Sequence, residues 1–138
     1  MLGDIDPADH TVESLRRAYL ETLREAIETV GCADVATSSG IDRETVDAIA
    51  TGGRDAITLT EATAILATVE DQDADAISAD ARDRLLLSMS NAVLDVDALA
   101  RRLDGDYLAK ELQAKIEGRH PMTVAEYARV QTAIAEES

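Results

Sequence analysis

Two helix-start signatures, one at residue 58 and one 65 positions later at residue 123, constrain this chain more than any other feature. Thr58-Leu59-Thr60-Glu61 and Thr123-Val124-Ala125-Glu126 each place a Thr three residues before a Glu, at the head of an apolar run. At that spacing the Thr hydroxyl can accept the Glu amide N–H, and the Glu carboxylate can accept from the Thr amide, so each quartet opens a helix. Upstream of each quartet stand the same signals in the same order. Val35-Ala36 and Leu99-Ala100 mark short apolar segments, Gly40 and Gly105 mark turns, and Gly52 and Gly118 stop the helices that follow. The chain therefore reads as one helical unit written twice.

Between these marks the apolar residues recur at helical spacing. Val12, Leu15, Tyr19, Leu23, Ile27 and Val30 form one stripe over residues 11–30, with Asp9 or Thr11 as cap and Gly31 at the end. A short helix is expected over 33–38, then a helix over 43–51 capped by Asp42. Ser78 is placed to cap a helix over 79–93 with Leu85, Leu86, Met89 and Val93 inward. Asp95 opens a helix to residue 103, and Leu108, Leu112 and Ile116 line one over 107–117. Met122 and Tyr127 are spaced for a hydrophobic staple on the last helix. No run alternates apolar and polar residues as a strand would. The expected fold is all-α, with two tandem helix-turn-helix-like four-helix units packed together. Residues 1–10 read as a loose lead-in, 11–69 as the first unit, 70–77 as an acidic linker and 78–138 as the second unit.

Charge bears on partners. The formal net charge is -15, Lys110 and Lys115 are the only lysines among 13 basic residues, and Phe and Trp are absent. This composition resembles that of halophilic archaea, whose cytoplasm is rich in salt. In dilute salt such a charge opposes DNA, since phosphate contacts need Lys and Arg. At 1 M salt the Debye length is only about 3 Å, so the overall charge says little about DNA. No apolar run is long enough to span a bilayer and the N-terminus lacks signal-peptide character, so a cytoplasmic protein with no membrane partner is expected. Cys32 stands alone.

Residues 26–69 resemble the helix-turn-helix of the lambda-repressor/Cro-like family. The likeness rests on Val35-Ala36, Gly40-Ile41, Asp42-Arg43-Glu44-Thr45-Val46, Ile49 with Gly52, and Thr58-Leu59 with Glu61-Ala62. The whole chain is also similar to a group of short, uncharacterised haloarchaeal proteins. The repressor likeness implies a DNA-binding regulator whose second motif helix enters the major groove, which points to Asp42, Arg43, Glu44, Asp47 and Ala48. That helix is acidic: residues 32–58 hold Arg43 and Arg54 against Asp34, Asp42, Glu44, Asp47 and Asp55. The second unit reverses the balance. Residues 98–120 hold Arg101, Arg102, Lys110, Lys115 and Arg119 against Asp104, Asp106, Glu111 and Glu117. The expected DNA contacts are therefore Arg43, Arg101, Arg102, Lys110, Gln113, Lys115 and Arg119. Double-stranded DNA is the expected partner; the alternative is a protein-interaction module that contacts a protein or a second copy and binds no DNA.

Other constellations fall short. Asp71, Asp73 and Asp75 have the spacing of a calcium loop, but Ala76 and Arg82 stand where it needs Gly and Glu. Gly52-Gly53-Arg54-Asp55 lacks the Lys-Ser/Thr of a phosphate loop. His10 and His120 are isolated and no serine has a triad signature. No catalytic residue, metal ligand or cofactor is expected, and the chain is not read as an enzyme.

Overall fold

The first long helix, α1 (Val12–Val30), begins where Thr11 accepts the Ser14 N–H at 3.2 Å and Ser14 Oγ accepts the Thr11 N–H at 3.0 Å. That reciprocal cap settles the start on Thr11 rather than Asp9. Leu15, Tyr19, Leu23 and Ile27 form its buried stripe, while Val12 lies at the rim. The computed structural model describes residues 2–53, 56–70 and 72–137. After α1 come α2 (Cys32–Ser39), α3 (Arg43–Thr51), α4 (Leu59–Leu66), α5 (Ala74–Asn91), α6 (Val96–Arg102), α7 (Ala109–Ile116) and α8 (Val124–Ala135). The fold is all-α, with no strand among the described residues. No helix there is long and apolar enough to cross a membrane.

Both capping boxes form as their spacing requires. Glu61 N–H donates to Thr58 Oγ1 at 3.1 Å and Thr58 N–H to Glu61 Oε1 at 3.0 Å; Thr123 and Glu126 repeat both bonds at the same lengths. A helix start leaves further N–H groups without intrahelical partners. Here each unit supplies one for the other. Leu59 N–H donates to Met122 O, and Val124 N–H donates to Ile57 O, both at 2.7 Å. Thr58 and Thr123 thus face each other in an isolated antiparallel bridge. The reciprocity gives this seam a local two-fold relation between the units.

Packing follows the same exchange. α1 packs chiefly on α8 and α5 chiefly on α4, so each long helix lies against the capped helix of the other unit. One hydrophobic cluster runs through both halves. At its centre the Tyr19 and Tyr127 rings sit 5.6 Å apart at 52°. The buried Tyr127 hydroxyl donates to Ala81 O at 3.1 Å and accepts from Gln131 Nε2 at 3.1 Å, which ties α5 to α8. Buried positions of the long helices also correspond, Leu15, Tyr19, Leu23 and Ile27 in α1 against Ile77, Ala81, Leu85 and Met89 in α5.

The ends of those helices differ in one residue. Gly31 leaves α1 at φ 96, whereas Val93 leaves α5 at φ 57, a left-handed conformation that a β-branched side chain adopts only under strain. Hydrogen bonds from Val93 N–H to Ser90 O and from Leu94 N–H to Met89 O close the end of α5 around it.

Several expectations need correction. The segment expected to link the units supplies the first turn of α5, because Asp73 Oδ1 accepts the Ala76 N–H at 2.8 Å and starts the helix five residues before Ser78. Leu86 and Val93, expected inward, are exposed: the buried stripe runs through Leu85 and Met89, and Leu86 is rotated about 100° from it. Leu108, also expected inward, is 76% exposed at the head of α7. Asp42 occupies the N-cap position of α3 but makes no side-chain cap bond. The N-terminal residues form two 3-10 turns, Leu2–Asp4 and Pro7–Asp9, that pack on α5 and α8 and bury Leu2. Arg54, Asp55 and Asp71, on which the glycine-rich turn and the calcium spacing depended, lie outside the described residues.

Candidate nucleic-acid interface

The cations expected at the interface divide by their partners. Arg101, in the last turn of α6, and Lys110, in the first turn of α7, are exposed, and neither has a carboxylate partner among the described residues. Arg102 pairs with Glu137 at 2.7 Å and Arg119 with Glu117 at 2.6 Å, both arginine side chains being more than half exposed. The Arg119 pair also holds the Glu117 carboxyl below its usual range. Gln113 Nε2 donates to Glu117 Oε2 at 3.2 Å on the exposed side of α7. Arg43 belongs to α3 in the first unit, 3.8 Å from Asp47 and flanked by exposed Asp42 and Glu44. Asp47 is further engaged by the Cys32 thiol, whose pKa that hydrogen bond raises.

Lys115 is placed differently from the others. Its side chain is only 17% exposed, and its ammonium donates to Pro121 O at 3.0 Å and pairs with Glu126 Oε2 at 3.2 Å. The same carboxylate accepts from the Tyr107 hydroxyl at 2.8 Å while capping α8. Burial pushes the Glu126 carboxyl up, but the bonds from Thr123, Tyr107 and Lys115 together outweigh it and hold the group below its usual range. Burial first, then contact with Glu126, pushes the Tyr107 phenol up to about 12. Arg129 completes the network, donating to Asp106 Oδ2 at 2.6 Å and Leu103 O at 3.0 Å, with its guanidinium carbon 5.8 Å from the Tyr107 ring centroid. These five side chains fix α7 and the turn before it to α8. Lys115 thus positions the helix that carries Lys110.

Two adjoining clefts flank α7. One, of about 420 Å3, runs from Leu108 and Lys110 past Lys115 to Arg119 and His120, with Glu111 as its carboxylate. The second, of about 360 Å3, is bounded by Thr58, Thr60, Arg82 and Gly118 and shares Arg119, His120 and Pro121 with the first. No carboxylate among the described residues lines the second cleft, whereas the clefts beside α1 carry Glu13 and Glu136, or Asp4 and Glu25. In a chain of net charge -15 this is a local reversal of sign. It extends the sequence-derived set by Arg82 and His120. Arg82 was missed because it lies on α5, distant in sequence from the basic segment, and only the packing of α5 beside α7 brings it there.

The chain belongs to a family of unknown function (DUF5791), which matches it over residues 15–137. No curated protein and no solved structure is significantly similar to it.

Proposed function

We propose that this protein is a DNA-binding transcriptional regulator of the repressor-like helix-turn-helix class, adapted to high salt, that contacts double-stranded DNA through its second unit. One observation carries the reading: in a strongly acidic chain, exposed Lys110 has no carboxylate partner among the described residues and lines one of two adjoining clefts that add Arg119, His120 and Arg82. In that class the second motif helix presents its N-terminal residues to base edges. On α7 those are Lys110 and Gln113, three residues apart and both exposed, so they share a face. Lysine suits guanine and the glutamine amide suits adenine. Arg101, Arg102 and Arg119 are suited to backbone phosphates, which set register without reading sequence. The acidic face of α3 leaves Arg43 a marginal contact.

The test is retention of genomic DNA fragments by the full chain across about 0.5–3 M KCl, where the Debye length is a few ångströms or less. A Lys110→Glu/Arg119→Glu variant that keeps its helical circular dichroism serves as the comparison. Selective retention that the variant loses supports the proposal, and no retention at any salt sinks it.

A second reading, binding of a protein partner without DNA, draws on a separate observation. Leu86, Leu87 and Val93 are 49%, 62% and 89% exposed at the C-terminal end of α5, away from the clefts flanking α7. Retention of DNA by a Leu86→Ser/Leu87→Ser variant at the level of the unaltered chain would separate that face from the DNA contacts.

A further inference from the structure

We infer that the cleft at the seam between the two units, framed by Arg82, Arg119, His120 and Thr60, is a binding pocket for a phosphate group. Arg82 shows the construction. Its Nη1 donates to Ser78 Oγ, and its guanidinium lies over the end of α7, where a Cβ at Gly118 would fall 2.9 Å from Nε. Gly118, at φ 84, thus leaves the space that the guanidinium occupies. Nε is buried and has no acceptor, and the side chain has no carboxylate partner among the described residues. Nε is closed against the end of α7, so an oxyanion in the cleft meets the guanidinium through its other N–H groups, whose planar fork suits the several oxygens of a tetrahedral anion.

The rest of the lining agrees. Arg119 brings a second guanidinium, bonded on one side to Glu117. Thr60, an exposed residue and the second of α4, contributes a hydroxyl and a first-turn N–H that no group among the described residues takes up. The other unit offers a contrast: Arg24 lies over Gly52 in the same manner and also buries an unmet Nε, but Glu21 pairs with it at 3.4 Å. Only the Arg82 seat adjoins further cations in a carboxylate-free cleft among those described. The phosphate can belong to a nucleic-acid backbone or to a small phosphate compound. The pocket goes beyond the duplex reading, since Arg82 and Thr60 lie on α5 and α4 rather than on α7.

The experiment titrates inorganic phosphate into the full chain at fixed total ionic strength, in about 2 M KCl to suppress long-range attraction. Nitrogen-proton NMR signals of the Arg82 side chain and of the Thr60 and Gly118 amides report the site. Saturable shifts at all three are expected, with affinity, read from the Thr60 and Gly118 amides, weakened about tenfold or more in Arg82→Gln, as loss of a charge-assisted bond requires. Arg17→Gln, which removes an exposed arginine of α1 outside the cleft, should leave them unchanged. If Arg82→Gln does not fold, Arg119→Gln replaces it with the same expected weakening. Shifts linear in phosphate, or equal losses in the cleft variant and Arg17→Gln, overturn the pocket. A short DNA duplex that displaces the phosphate identifies a backbone phosphate as the ligand. A duplex without effect, beside saturable phosphate binding, keeps the pocket for a small phosphate compound and counts against the duplex reading alone.

Discussion

Exchanging the residues that end the two long helices should move stability in opposite directions. Val93 holds φ 57 with 89% of its surface exposed, so Val93→Gly removes backbone strain and gives up almost no buried area. The left-handed conformation costs a side-chain-bearing residue about 1–2 kcal/mol. Glycine returns about 0.5–1 kcal/mol of that through its greater freedom in the unfolded chain. The net gain is about 0.5–1 kcal/mol, or a rise in Tm of about 2–5 °C for a chain of this size. For the reverse change, Gly31→Val, an added Cβ meets no neighbouring atom within 4 Å, so the cost is chiefly that of the backbone. At φ 96 and ψ 141 that conformation is close to glycine-only. Strain of about 1–3 kcal/mol against the same entropy term gives a net loss of about 1–2 kcal/mol. Thermal unfolding in molar KCl, followed by circular dichroism at 222 nm, reads both. A Val93→Gly protein that is less stable, beside a Gly31→Val protein that is unaffected, would refute the idea that backbone conformation governs these helix ends.

Two further outcomes follow from the core and from the network behind α7. Tyr127→Phe leaves the buried Gln131 amide without its acceptor and removes the donor to Ala81 O, so chemical unfolding should show a loss of about 1–3 kcal/mol. Glu126 has a carboxyl pKa lower in the folded chain than in the unfolded one, so the folded chain binds fewer protons there. Its contribution is complete above the unfolded value and disappears as pH falls through the folded one. Acid unfolding curves of Glu126→Gln should therefore be less steep than those of the unaltered chain, and identical curves would show that the network adds nothing.

What the sequence discloses here, and what it hides, divides by range. The caps at Thr58 and Thr123, the stripe of α1 and the turns at Gly40 and Gly118 depend on residues three to eight apart, and each is legible locally. The start of α5 was misplaced because Asp73 and Ser78 both qualify as caps, and only the formed bond to Ala76 chooses between them. The seam was hidden although its quartets were the clearest marks in the chain, since nothing local reveals that Leu59 N–H bonds Met122 O. The site shows the same limit. Lys110, Gln113 and Arg119 stand out as exposed polar residues of a basic segment, while the role of Lys115 depends on Glu126, 11 residues away, and on Tyr107, which reaches Glu126 across 19. Arg82 carries no local signal at all until α5 packs beside α7.

The direct test of the proposed α7 interface is to map backbone amide shifts of the full chain on titration with DNA duplexes in molar KCl. Changes concentrated at residues 109–116, Arg101, Arg119 and His120, with α3 silent, are the predicted result. Changes concentrated at residues 43–51, or none at any ratio of duplex to protein, would contradict it.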